Sequence, residues 1–135
     1  MDDCIFCRII AGDLPSTRIH EDDRAIVIMD INPATPGHAL VIPRAHARDI
    51  SDISEDDLGH CAVVAKQIAA RAMSGLNAQG VTIMQSNGAA AWQTVFHYHV
   101  HVIPRYDDDP LVLPWNPRSA AAGDIIEISK AYFQH

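Results

Sequence analysis

His97-Tyr98-His99-Val100-His101-Val102-Ile103 places a histidine at every second position, and Pro104 follows directly. Because successive side chains of a β-strand point to opposite faces, this spacing puts all three imidazoles on one face of a strand. The residues between and after the histidines favour strands, and a proline commonly ends a ladder of strand hydrogen bonds. The stretch therefore predicts a strand with three imidazoles on one face and an apolar opposite face.

Length and composition indicate a single domain, because a chain of 135 residues can bury a core without disulfides. With 48% hydrophobic and 20% charged residues, the chain shows neither a long apolar run nor a basic leader, so we expect a cytoplasmic protein that does not contact a membrane. Ten Lys and Arg against seventeen Asp and Glu give a net charge of −7, which argues against nucleic acid as a partner.

The remaining pattern predicts an α+β domain. Apolar runs at residues 25–30 and 38–43 are joined by a short loop rich in Pro and Gly, which favours an antiparallel hairpin. Ser54 and the acids after it predict the start of a long helix that ends near residues 75–77, and residues 81–85 predict a further strand. The side chains expected on the buried face of this helix are Leu58, Cys61, Ala62, Ala65, Ile68, Ala69 and Ala72.

Three histidines on one face indicate a functional site, because burying an imidazole is costly unless its donors and acceptors are matched. Neutral imidazoles hold metal ions, and a single imidazole serves as a nucleophile at phosphorus when a neighbour fixes its tautomer. Spacing alone does not choose between a catalytic metal site and a nucleophile. Gln93 and Thr94, just before the stretch, offer donors that suit an anion such as phosphate, although they also suit the backbone groups of a loop.

The cysteines indicate metal or redox chemistry rather than a disulfide framework. Cys4, Cys7 and Cys61 are odd in number, which a set of paired disulfides does not allow. The Cys-x-x-Cys spacing of Cys4 and Cys7 is typical of metal ligation or redox chemistry in a reducing compartment. Cys61 fits the buried face of the long helix.

Residues 97–103 resemble the His-φ-His-φ-His-φ-φ signature of the histidine triad (HIT) nucleotide-binding proteins, where φ is apolar. Further matches in family order are Cys4-Ile5-Phe6-Cys7, Glu21-Asp22-Asp23, Asp30-Ile31-Asn32-Pro33, Pro36-Gly37-His38, Ile42-Pro43-Arg44-Ala45-His46, Asn87-Gly88 and Gln93-Thr94-Val95. Because a third histidine closes the triad, the chain is similar to the Hint-like branch and its bacterial zinc-containing members. The resemblance covers residues 4–105, so we expect a HIT domain over residues 1–105. For the C-terminal tail over 106–135, which the resemblance does not cover apart from a Pro-Trp pair, the residue pattern predicts a helix over 119–134, and we expect the tail to pack on the same domain.

The resemblance implies a HIT fold, which is an antiparallel sheet of five or so strands with one long and one or two short helices, pairing as a homodimer. It also implies hydrolysis of a purine nucleoside 5′-phosphoramidate, or a related nucleotidyl bond, through a covalent nucleotidyl-histidine. His99 matches the nucleophile at the α-phosphorus, His101 the group that assists the leaving group, and His38 the residue that orients the end of the triad. The alternatives are a dinucleoside polyphosphate hydrolase and a nucleotide-binding interaction protein with vestigial hydrolysis.

The implied nucleotide site needs no organic cofactor. Asp30 matches the acceptor for the ribose hydroxyls, and Gln93 and Thr94 match contacts to the α-phosphate. Ser86 occupies a nucleotide-binding position where the family usually has Asn, and Trp92 stands where it usually has Gly, so we expect substrate range or rate to differ. The residues that match apolar walls around the base are Phe6, Ile9, Ile28, Ile31 and Leu40. By residue type alone, such apolar side chains are simple core, and Asp30 is a turn residue.

A second site implied by the resemblance is a structural zinc centre formed by Cys4, Cys7, His46 and His97. Two thiolates and two imidazoles make a closed tetrahedral set for Zn²⁺. Reduced, unligated thiols and a redox pair are the alternatives. As a zinc ligand His97 takes no direct part in catalysis, and loss of the metal should weaken folding more than chemistry.

Overall fold

The computed structural model describes residues 3–133, which contain five strands and three α-helices. In chain order these are α1 (Ile5–Ile10), β1 (Arg18–Glu21), β2 (Ala25–Met29), β3 (Ala39–Pro43), α2 (Glu55–Gly75), β4 (Gly80–Met84), β5 (Val100–Arg105) and α3 (Ala122–Ala131), with a 3₁₀ turn at Ala89–Ala91. All neighbouring strands pair antiparallel, in the order β1-β2-β3-β5-β4. The predicted α+β architecture, with one long helix and short ones beside it, is confirmed.

β2 and β3 form the predicted antiparallel hairpin. Five consecutive residue pairs join them, beginning with Ala25 opposite Pro43. The N–H of Asp30 donates to the carbonyl of His38 at 3.0 Å, which extends the pairing into the connecting loop. The hairpin therefore brings Asp30 and His38 together at one end of the sheet.

α2 begins at the predicted cap. The Ser54 hydroxyl accepts a hydrogen bond from the N–H of Asp57 at 3.1 Å, which satisfies a donor that the first turn leaves free. Ala62, which we expected to be buried, is exposed, and Val64 is buried in its place because a helical face repeats every three to four residues from Cys61. The buried side chains of α2 are Cys61, Val64, Ala65, Ile68 and Ala72.

The sheet carries a different core on each face. The residues that pack with α2 on one face include Val27, Val41, Tyr98, Val100 and Val102. The residues that pack with Phe6 and Ile9 of α1 on the other face are Ile26, Ile28, Leu40 and Ile42. The apolar positions of the histidine stretch thus face α2, as the alternation predicted, while the His99 ring contacts Phe6 on the opposite side.

The strand predicted over residues 97–103 starts later than expected, because β5 begins at Val100. The N–H of Tyr98 donates at 2.7 Å to the carbonyl of Ala47, in the loop after β3, instead of to a neighbouring strand. The prediction of one continuous strand was therefore wrong for its first three residues. Of the three histidines, only His101 lies on β5.

The tail leaves the sheet through a compact turn. Arg105 donates two hydrogen bonds of 2.9 Å to the carboxylate of Asp109, which also accepts from the N–H of Tyr106 at 2.8 Å. Farther along, the indole of Trp115 stacks on that of Trp92, with 6.4 Å between their ring centroids. The start of the tail is thereby held against the sheet and against the loop before the histidine stretch.

α3 lies within the predicted range of 119–134, of which residue 134 falls outside the described residues. All of its side chains are exposed in the single chain. Among residues 3–133, no helix combines the length and the apolar character that crossing a membrane requires.

Candidate active site and metal centre

A cavity of about 490 Å³ opens between α1 and the sheet. Two histidines of the stretch, His99 and His101, lie in its wall. The residues expected to bind a nucleotide that join them there are Phe6, Ile9, Ile28, Asp30, Ile31, Leu40 and Thr94. A mostly apolar cavity of this size with a few converging polar groups is typical of a small-ligand site.

The cavity also has residues in its wall that the sequence did not single out. These include Ser16, Met29, Asn32 and Val95. Val95 is the last residue of the Gln93-Thr94-Val95 match to the family, so this match could have identified it as a cavity residue. No sequence motif includes Ser16. Ser86, expected at the nucleotide, does not line the cavity.

Gln93 is also absent from the cavity wall, because backbone groups use its whole amide. Its Oε1 accepts from the N–H of Gly88 at 2.7 Å, and its Nε2 donates to the carbonyls of Arg48 at 2.7 Å and Val95 at 3.1 Å. This is the alternative role of satisfying a loop, so we assign Gln93 to shaping the loop rather than to a side-chain contact with phosphate. Trp92, just before it, has φ of 76°, a left-handed conformation that suits the glycine usual at this position.

The tautomer of His99 follows from one hydrogen bond. Its Nδ1 lies 2.7 Å from the carbonyl oxygen of His97. A carbonyl only accepts, so Nδ1 carries the proton and Nε2 keeps its lone pair. Burial lowers the pKa of His99 below its usual value, which favours this neutral form. The ring of Phe6 stands edge-on to the imidazole at 5.0 Å. His99 thus has the electronic state of a nucleophile.

The same reasoning assigns the protons of His38 and His101. The N–H of Ala34 donates to Nδ1 of His38 at 3.0 Å, so the proton of a neutral His38 is on Nε2. That nitrogen lies 2.9 Å from Nδ1 of His101, which must accept and therefore carries its own proton on Nε2. Burial and then the neighbouring imidazoles of His99 and His38 lower the pKa of His101 to about 4. His101 is thereby a neutral donor next to the proposed nucleophile.

Asp30 forms the turn considered for it and also lies in the cavity wall. Its Oδ1 accepts from the N–H of Asn32 at 2.8 Å, as in a turn of the Asx type, and its Oδ2 lies 3.5 Å from Nε2 of His38. The carboxylate also lines the cavity. The turn therefore fixes an acceptor at the cavity wall.

Cys4, Cys7, His46 and His97 converge at the start of α1, with all four ligand atoms within 4.8 Å of one another. Nδ1 of His97 lies 3.4 Å from Sγ of Cys4 and 3.2 Å from Nδ1 of His46. Tetrahedral Zn²⁺ with its usual bond lengths separates such ligand atoms by about 3.3 to 3.8 Å. The predicted residues therefore fit a zinc ion.

The chemistry of His97 supports the same fit. Its Nε2 lies 2.8 Å from the carbonyl oxygen of Pro43, so the proton is on Nε2 and the lone pair of Nδ1 faces the thiols. The side chain is completely buried. A buried lone pair next to two thiols is suited to a metal ion and leaves the side chain of His97 unavailable to a substrate.

Asp30, His38 and His101 form a second group whose ligand atoms lie within 4.8 Å of one another. Here the proton on Nε2 of His38 points into the group, where a metal would need a lone pair. The group is therefore better described as a hydrogen-bonded relay than as a metal centre.

Two features together characterise this protein. One is a single sheet with α1 and α2 on its two faces, and the other is a histidine-lined cavity beside a cluster of thiols and imidazoles. Residues 11–108 match the family described as HIT domain, so the chain belongs to the HIT family. Among its relatives, Protein hit of Bacillus subtilis is 38% identical over 105 residues, covering 78% of this chain and 72% of the relative.

Solved structures agree with this assignment. A Zn-bound histidine triad family protein from Mycobacterium smegmatis has a TM-score of 0.80 and 40% identity, covering 98% of this chain and 96% of that one. A HIT family hydrolase from Clostridium thermocellum has a TM-score of 0.70 and 37% identity, covering 84% of this chain and 99% of that one. The predicted HIT fold is thereby confirmed.

Proposed function

We propose that this protein hydrolyses purine nucleoside 5′-phosphoramidates, or related bonds at the α-phosphorus, through a covalent nucleotidyl-His99. The observation that carries the proposal is the 2.7 Å hydrogen bond from Nδ1 of His99 to the carbonyl of His97. It leaves the Nε2 lone pair free on a residue that lines the cavity. The solved HIT family hydrolase supports hydrolysis as the reaction class.

The first step forms a bond between Nε2 of His99 and the α-phosphorus. The P–N bond to the leaving amine breaks, the amine nitrogen takes up a proton from solvent as it departs, and the Nε2–H of neutral His101 donates a hydrogen bond to it. The positive charge that develops on His99 is stabilised by its Nδ1–H, which donates to the carbonyl of His97. In the second step water attacks phosphorus and gives its proton to solvent, the bond between phosphorus and Nε2 of His99 breaks, and His99 is again neutral with its proton on Nδ1.

The rest of the cavity positions the nucleotide. The apolar walls formed by Phe6, Ile9 and Ile28 receive the base, and the carboxylate of Asp30 accepts from the ribose hydroxyls. Thr94 contributes a hydroxyl donor near the phosphate. A cavity of about 490 Å³ suits a ligand of this size.

The cluster of Cys4, Cys7, His46 and His97 holds a structural Zn²⁺ in this proposal. The ligand separations support it, and so does the Zn-bound relative. The metal supplies a fixed cross-link between α1 and the loop before β5. The homodimer and the cytoplasmic location stay predictions, and sedimentation of the purified protein measures the first of them.

The test is steady-state hydrolysis of adenosine 5′-phosphoramidate by the wild type and the variant His99→Ala. We expect the variant to lose at least about a thousandfold in kcat, as nucleophile removal does in covalent hydrolases, while still binding AMP. His60→Ala, which removes a histidine outside the cavity, is the matched control and should stay within twofold. A kcat of His99→Ala equal to that of the wild type would contradict the proposal.

Two alternatives have distinct outcomes in the same assay. Faster turnover of a diadenosine polyphosphate than of the phosphoramidate would identify a dinucleoside polyphosphate hydrolase with the same nucleophile. AMP binding without turnover of either compound would identify a nucleotide-binding protein with vestigial hydrolysis.

A further inference from the structure

His97 belongs to both sites at once. Its imidazole faces the thiols of Cys4 and Cys7 at 3.4 and 3.5 Å, and its backbone carbonyl accepts a hydrogen bond from the Nδ1–H of His99. The ring is completely buried and is held from behind by the carbonyl of Pro43. The group that fixes the tautomer of His99 is therefore the main chain of a residue in the metal cluster.

α1 makes a second connection between the two sites. Cys4 and Cys7 stand at its start, while Phe6 and Ile9 form part of the cavity wall. The ring of Phe6 contacts His97 at 5.9 Å and His99 at 5.0 Å between centroids, with nearly perpendicular planes in both pairs. A helix of six residues is not stable by itself, so its place depends on what anchors it.

We propose that metal binding at Cys4, Cys7, His46 and His97 positions the nucleotide site, so that the bound metal raises the affinity for the nucleotide and the bound nucleotide raises the affinity for the metal. This inference rests on the proposed function, because it takes the cavity as the nucleotide site. His97 acts as a positioning residue through its carbonyl, and α1 acts through Phe6. A metal that holds both in place reduces the ordering that the nucleotide would otherwise have to supply.

The coupling is reciprocal by thermodynamic necessity. If the metal strengthens AMP binding by some factor, AMP must strengthen metal binding by the same factor. A metal that only cross-links the fold, with α1 and His97 already in place without it, would instead leave AMP affinity unchanged. The two arrangements therefore differ in a binding constant that is independent of turnover.

The first measurement compares AMP binding by calorimetry to the full chain after chelation and after reloading with Zn²⁺. We expect about tenfold tighter binding to the loaded protein, within the range usual for coupled sites. The second measurement follows Zn²⁺ release to excess chelator from the loaded protein, which does not require a stable metal-free form. AMP at saturation should slow this release, and equilibrium competition with a chelator of known affinity should show a rise of about tenfold in Zn²⁺ affinity when AMP is present.

The variant Phe6→Leu tests the route through α1 while keeping all four ligands. Because Phe6 also lines the base site, AMP is added at a concentration that saturates the variant, and the ratio of the Zn²⁺ release rates without and with AMP should be smaller than in the wild type. The matched variant Ile19→Leu, at an exposed position outside both sites, should keep the full effect.

Equal AMP affinity of the loaded and chelated protein, with Zn²⁺ release unaffected by AMP, would overturn the coupling and leave the proposed function standing. If AMP fails to bind the loaded protein, both the proposed function and the coupling fall.

A nitrogen NMR spectrum of His99 gives a readout that a purely structural metal would not change. Under the proposal, removal of the metal should lower the population of the tautomer that carries its proton on Nδ1.

Discussion

Nε2 of His38 lies 2.9 Å from Nδ1 of His101, and the N–H of Ala34 holds the other nitrogen of His38 as an acceptor. One backbone donor thus sets the proton positions of two imidazoles in series. The last proton of the series is on Nε2 of His101. In the proposed mechanism this N–H donates to the leaving group. In the proposed mechanism His38 therefore acts through His101, without touching the reacting atoms.

Replacing His38 by Leu should lower kcat while changing KM little. The variant removes the donor to His101, so the proton of His101 is no longer confined to Nε2. We expect a loss of at least about tenfold in kcat, because one positioned donor at the reacting group contributes about a hundredfold or more. Steady-state kinetics measure both constants, and His38→Leu with unchanged kcat would contradict the relay. His20→Leu is the control, since His20 bonds Asp22 outside the cavity.

His101 should also make the fold sensitive to mild acid. Its pKa is about 4 in the folded protein and near 6.5 when unfolded. Above pH 6.5 it is neutral in both states, and as the pH falls toward 4 the unfolded chain takes up the proton first, so stability is lost over that window. His101→Gln should lose less stability than the wild type between pH 7 and pH 5. Urea unfolding at the two pH values checks this, and identical losses would contradict it.

Replacing Gln93 by Leu should destabilise the protein through the loop. The change leaves the Gly88 N–H and the carbonyls of Arg48 and Val95 without their partner, the buried amide of Gln93. We expect a loss of about 2 to 3 kcal/mol in the free energy of unfolding. Gln67→Leu, at an exposed position of α2, should change it by less than about 0.5 kcal/mol. Equal stability of the two variants would show that the amide does not clamp the loop.

The cap of α2 gives a further stability prediction. Ser54→Ala removes the acceptor for the N–H of Asp57 and should cost about 1 kcal/mol in the free energy of unfolding. Ser54→Thr keeps the hydroxyl and should recover most of that loss. Urea unfolding of the two variants measures the difference, and an equal effect of both would argue against capping.

The sequence predicted the parts of the fold that depend on local chemistry. The hairpin followed from a short loop between two apolar runs, and the start of α2 followed from Ser54. The late start of β5 did not, because it depends on Tyr98 donating to Ala47, a residue far away in the chain. Spacing gives the direction of a side chain but not the partner of its backbone.

The same limit applies to the candidate site. The cavity contains most of the residues that the resemblance implied, since a HIT chain brings them together through its fold. Gln93 differs, because its partners are the backbone groups of Gly88, Arg48 and Val95, which residue type does not identify. The tautomers of His38, His99 and His101 were also beyond the sequence, as each is set by a single backbone group.

The proposed mechanism requires a covalent nucleotidyl-His99. Rapid quench followed by mass spectrometry detects this intermediate directly. The wild type is mixed with adenosine 5′-phosphoramidate, quenched within one turnover, and mapped by peptide digestion. We expect an adenylyl group on the peptide that contains His99, absent from His99→Ala and still formed by His60→Ala. An adduct on another residue, or turnover of the wild type with no adduct at any quench time while chelation abolishes activity, would contradict it.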